Sequence, residues 1–108
     1  MSDTAQLAAK LNEIWRASRP IILERMAVLH ATQAALAADL HNHDARREGR
    51  EAAHKLAGVL GTFGLPRGSE LASALEEILQ ADTPLTADDL TTLATHIAEL
   101  ESVIASKP

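Results

Sequence analysis

A surface imidazole is both a nucleophile and a base at physiological pH. In this chain His54 stands in company that suits such a role. Arg47 and Arg50 precede it by two helical turns and one; Gly58 and Gly61 follow it by one turn and two. On a helical wheel at about 100° per residue, those four positions fall within about 40° of His54. Ala52, Leu56, Val59, Leu60 and Phe63 fall between roughly 140° and 240°, the opposite side. The histidine is therefore expected at the centre of a polar strip, with guanidinium groups before it and bare backbone after it.

On wheel position alone His54 could be one more solvated side chain. The glycines argue otherwise. An interior helical glycine costs about 1 kcal/mol relative to alanine, and alanine would fit the same backbone at 58 and 61. A smooth strip lets the backbone of a second protein come close to the imidazole. Helix termination accounts for Gly64 better than for Gly61. Glu51 is the nearest acid on the same helix and could orient the ring or pair with Arg47 or Lys55 at helical spacing.

The elements that hold this strip follow from apolar periodicity and from Pro, Gly and capping signals. A first helix is expected over about 4–18, with Leu7, Leu11, Ile14 and Trp15 at helical spacing, Asp3 as its cap and Gln6 three residues on. Arg19-Pro20 then interrupts, and Pro20 opens a second helix over 20–40. Its buried stripe is Ile22, Met26, Leu29, Leu36 and Leu40, with Gln33 as the polar exception. His41-Asn42-His43-Asp44 reads as a solvated turn, with Asn42 or Asp44 as the next cap.

The third helix, 45–62, carries His54. Gly64-Leu65-Pro66 ends it and starts a fourth over 66–82, with Leu71, Leu75, Ile78 and Leu79 inward. Thr86 to Asp89 has capping-box spacing and opens a fifth, 87–105, along Leu90, Leu93, Ile97, Leu100 and Ile104. No strand alternation, internal repeat or low-complexity linker is visible. The expected fold is all-α: a single domain over 1–108, an up-and-down four-helix bundle with an additional N-terminal helix packed against it or over one end.

Composition narrows the function classes. Apolar residues make up 46% of the chain and aromatics 2%, a core of Leu, Ile, Ala and Val that suits close-packed helices. Cysteine is absent, which removes disulfides and thiolate metal sites and fits a reducing, cytoplasmic setting. The formal charge of −5 argues against nucleic acid as a partner. No apolar run approaches the ~20 residues of a membrane span, and the polar N-terminus lacks signal-peptide order. Glu51-x-x-His54 has the spacing of di-iron carboxylate bundles, but His30, His41, His43 and His96 all lack a glutamate three residues before them, so the second half of such a site is missing. No metal site is expected.

His54-Lys55-Leu56-Ala57-Gly58, followed by Gly61-Thr62-Phe63-Gly64-Leu65 and a leucine-rich helix over 71–79, resembles the signature of histidine-containing phosphotransfer (HPt) domains. The motif covers about Arg50 to Leu79. The resemblance implies a helical bundle displaying a phosphorylatable histidine, here His54, with Nε2 as the nucleophile. It implies a phosphorelay carrier without a kinase active site of its own, which exchanges phosphate with receiver-domain aspartates of response regulators or of a hybrid sensor kinase. No cofactor is expected on this chain, because the receiver brings Mg²⁺. Many HPt domains have lysine three residues after the histidine, where this chain has Ala57. Lys55, Arg50 or Arg47 then remain to supply a cation near the phosphoryl oxygens, and Ala57, Gly58 and Gly61 form the expected partner surface. A non-catalytic interaction bundle with the same fold is the alternative. The chain is expected to be monomeric.

Overall fold

The computed structural model describes residues 2–108 and contains four helices. They are α1 (Asp3–Ala38), α2 (His43–Thr62), α3 (Pro66–Gln80) and α4 (Ala87–Ala105). α1 packs on α2 and α4, and α3 packs on α2 and α4. Each helix thus touches two neighbours around a closed ring, as in an up-and-down bundle. The core is aliphatic: Ile22, Leu29 and Leu36 of α1 meet Leu56 and Leu60 of α2, Leu71 and Leu75 of α3, and Leu93, Ile97, Leu100 and Ile104 of α4.

Four helices replace the expected five because α1 runs unbroken through Pro20. An internal proline removes one backbone hydrogen bond and crowds the preceding turn, at a cost of about 3 kcal/mol. Here Pro20 and Arg16, whose carbonyl loses its partner, are both exposed, so water can take the missing donor's place. Trp15 and Ile22, on either side of the proline, are both buried in the one core, and that shared anchorage keeps the two halves collinear. The molecule measures 55 × 20 × 20 Å, and a helix of 36 residues at about 1.5 Å per residue accounts for the long axis.

The N-terminal segment is not packed against the bundle as expected. Leu7, Leu11 and Ile14 are 60%, 39% and 44% exposed, and Trp15 is the first buried residue of α1. Along the rest of α1 the stripe is as read, but the polar residue in it is Thr32, not Gln33. Thr32 is buried and its hydroxyl donates to the carbonyl of Val28 at 2.8 Å. Gly49 of α2 lies against it: a Cβ there would stand 2.5 Å from Thr32 Cγ2. The two helices meet closely at that point because one of them has no side chain.

The ends of the helices follow local chemistry. Ser2, not Asp3, caps α1, accepting from the Ala5 amide at 3.3 Å. Asn42 caps α2 through the Ala45 amide at 3.0 Å. Gly64, at φ +72°, ends α2 in the left-handed region, and the Leu65 amide returns to the Leu60 carbonyl at 2.9 Å. Pro66 opens α3, and Thr86 and Asp89 form the reciprocal capping box of α4. α3 stops at Gln80, two residues short of the expected 82. Beyond it the guanidinium of Arg46 donates to the carbonyls of Leu79 at 2.7 Å, Thr83 at 3.0 Å and Ala81. Those are the orphan acceptors of a helix end and its following turn, and α2 satisfies them from across the bundle.

α1 is also long and apolar enough to meet a length-and-composition test for crossing a membrane. It carries Glu24 and Arg25 in its interior, and Ile22, Met26, Leu29 and Leu36 face the bundle core.

Candidate functional site

The site is built on the outward face of α2. Ala52, Ala53, Leu56 and Leu60 turn into the core, and that burial fixes the opposite side to solvent. His54 stands there with 74% of its side chain exposed. Its Nδ1 lies 2.8 Å from Glu76 Oε2 on α3. A carboxylate can only accept, so Nδ1 carries the proton and donates it. In the neutral ring Nε2 then keeps its lone pair, on the side facing water. The Glu76 side chain is 23% exposed, so the pair stands at the rim of the α2–α3 seam.

His54, Glu76, Arg50, Glu51 and Lys55 line one shallow depression of about 300 Å³. Arg50 and Lys55 are therefore the cations that share this depression with the imidazole. Arg47 does not reach this depression. It is paired with Asp44 at 3.2 Å and lines a neighbouring hollow of about 280 Å³ with His43, Arg46, Arg50 and the end of α3. Arg50 borders both.

The three positions expected to form a partner surface differ from one another. A Cβ on Gly58 would meet nothing within 4 Å, so the strip is open there. At Gly61 it would touch Ser69 Oγ at 3.5 Å, an ordinary contact. Ala57 is half-buried and turned toward α3, where its carbonyl accepts from Ser69 Oγ at 2.8 Å. The open surface beside the histidine narrows to Gly58 and Gly61.

Sequence reading missed Glu76 and considered Glu51 in its place. Glu51 is on the same helix, but it is Glu76, 22 positions away, that contacts the ring. The available signal was weak: Glu76 follows the buried Leu75 and precedes the half-buried Ile78 on a helix expected to pack beside α2. Among the described residues, no three or more histidine, aspartate or glutamate side chains converge as a metal cluster would.

Residues 21–103 match the family model of the Hpt domain. The chain belongs to that family, the histidine-containing phosphotransfer domains of two-component phosphorelays. A relative is Protein RcaC of Microchaete diplosiphon, 35% identical over 71 residues, which are 66% of this chain and 11% of that protein. The chain thus spans about a ninth of the relative's length. No solved structure matches.

Proposed function

We propose that His54 Nε2 accepts a phosphoryl group from the aspartyl phosphate of a receiver domain and returns it to another receiver's aspartate. The observation that carries this is the contact of His54 Nδ1 with the Glu76 carboxylate, which in the neutral ring holds the proton on Nδ1 and leaves the lone pair on the exposed Nε2. In the forward step Nε2 attacks phosphorus, the bond from phosphorus to the aspartyl oxygen breaks, and its electron pair leaves with the carboxylate. Positive charge develops on the imidazole as the new P–N bond forms. Glu76, across the Nδ1–H, is placed to balance it.

Glu76 is a positioning residue in this reading, because it acts through His54 and does not touch the phosphoryl group. Lys55 and Arg50 flank the developing phosphohistidine and offset its added negative charge. Arg47, one turn further out and paired with Asp44, suits contact with acidic groups of the partner. Phosphoryl transfer is mostly positioning and charge stabilisation, with a metal ion near the phosphate. This chain has no P-loop and no kinase-type glycine loop, and the receiver would bring its own aspartate and Mg²⁺. The chain then acts as a carrier with no kinase activity, and Gly58 lets the receiver's backbone approach.

Incubation with a phosphorylated receiver and Mg²⁺ tests the proposal. It should give a base-stable, acid-labile phosphate on the wild-type chain and none on His54→Gln with the same helicity. Unlabelled wild type across a panel of receivers would return the chain to a non-catalytic interaction bundle.

A further inference from the structure

The start of α1, up to about Leu7, lies past the end of the bundle. Ala8, Leu11 and Asn12 border a groove of about 270 Å³ with Thr62, Phe63, Gly64 and Lys107, the residues that close the bundle there. Before that level α1 has no neighbouring helix. This arm also lies outside the family match, which begins at residue 21.

The arm nevertheless keeps a core stripe. With Trp15 at zero on the wheel, Ile22, Met26 and Leu29 fall within about 40°, and Thr4, Leu7, Ala8 and Leu11 within about 80° of the same line. Ile14 borders it at about 100°. The face that buries Trp15 and Ile22 inside the bundle thus continues outward, only edged by the bundle's end at Ala8 and Leu11 and uncovered at Leu7. A lone helix of fewer than about 12–15 residues is marginal in water, and this one displays its leucines.

We infer that a second copy of this chain covers the arm, by antiparallel pairing of the two N-terminal segments. The spacing is self-complementary. Thr4, Leu7, Leu11 and Ile14 follow the 3–4 alternation of a coiled-coil seam. Antiparallel pairing about a two-fold axis near Ala9 sets Leu7 opposite Leu11 and Thr4 opposite Ile14, then the same two layers in reverse. The two inner layers are leucine on leucine. In the outer layers the smaller Thr4 offers its methyl to Ile14, at the ends of the seam where its hydroxyl keeps contact with water. Ala8 flanks the seam and allows close approach there. The tip of each arm reaches the groove of the other bundle. It brings Asp3 to the end where Lys107 stands, its Nζ 5.5 Å from the centre of the Trp15 ring.

Area fits a reversible dimer. Each arm offers a face about 18 Å long and 10–12 Å across, and the two grooves extend it. That is roughly 200 Å² on each arm before the grooves are added, below the about 1,200 Å² of standard interfaces, so the pair should be weak and dissociate on dilution. The bundles point away from each other and both His54 strips stay open. This departs from the monomer expected from sequence, which took the N-terminal stripe to be packed in its own bundle.

Sedimentation velocity from about 1 µM to about 1 mM should show the mass rising from one chain to two. Leu7→Glu with Leu11→Glu should stay a monomer throughout, with wild-type helicity and an unchanged rate of phosphotransfer. Orientation is read separately: since the chain has no cysteine, mixed Leu7→Cys and Leu11→Cys chains should oxidise to the mixed disulfide faster than either homodimer forms. A wild type that is monomeric at every concentration overturns the inference, as does a monomer that sediments with anionic lipid vesicles through the arm. Faster homodisulfides overturn the antiparallel pairing.

Discussion

Alanine at position 58 would add one methyl group to the strip beside His54, with nothing within 4 Å of its place. Gly58 is an interior residue of α2 with ordinary helical φ. Removing its backbone freedom should stabilise the fold by about 0.5–1 kcal/mol, which raises Tm by roughly 2–8 °C for a domain of this size. If the receiver's backbone comes close at this point, the same methyl meets a packed surface. Overpacking of that kind costs about 1–3 kcal/mol, or roughly 5- to 150-fold in kcat/KM for transfer from a phosphorylated receiver. The two effects have opposite signs, so a folding defect cannot imitate the loss of transfer. Calorimetry and a rapid-quench transfer assay read them independently. A variant with raised Tm and wild-type transfer would show that Gly58 is not where the partner approaches. A lowered Tm would refute the open strip itself.

Gly49→Ala should do the reverse of Gly58→Ala in stability, because its methyl would sit 2.5 Å from Thr32 Cγ2; the overpacking cost of about 1–3 kcal/mol outweighs the helix-propensity gain of about 1 kcal/mol, and denaturant melts should show a lower midpoint. Glu76→Ala should slow transfer by about 5-fold, a charge-assisted hydrogen bond reduced by partial exposure, while Tm stays within a degree or two; a shift of the ¹⁵N signals of His54 toward a mixed tautomer would report the cause, and an unchanged tautomer would remove Glu76 from its role. Arg46→Met keeps the apolar stem but frees the carbonyls of Leu79, Ala81 and Thr83, and should cost about 2 kcal/mol, visible as faster amide exchange at the α3–α4 turn. The Glu99 carboxyl is held below its ordinary pKa by its hydrogen bond to Arg67 and, further, by that guanidinium's charge. A depressed carboxyl stabilises above its unfolded pKa and loses that contribution as pH falls through its folded pKa; acid melts of Glu99→Gln should therefore lose part of the wild-type pH slope below the carboxylate range.

Much of the site was legible because a helix is a local object. Residues 47 to 61 share one helix, so a period of 3.6 is enough to put His54 with Arg50 and Gly58 and to turn Leu56 and Leu60 inward. The caps at Asn42 and Thr86, the left-handed Gly64 and the opening Pro66 are equally local, each set by the bonding of a few neighbouring residues. The family signature lay in the same stretch, and the match over residues 21–103 agrees with it.

Whatever depended on two helices meeting was not legible. Glu76 accepts the hydrogen bond from Nδ1, and Arg46 closes the end of α3, only because packing sets α2 beside α3. Gly49 by itself is only a poor helix former, and the reason for it is Thr32 on another helix. Pro20 reads as a stop in any local account, since proline weakens a helix wherever it occurs; only the burial of Trp15 and Ile22 in one core carries α1 through it. By itself the sequence determined which residues share the strip with His54, since backbone periodicity places them. Only the tertiary structure decided which carboxylate meets Nδ1 of His54, since Glu76 comes from another helix.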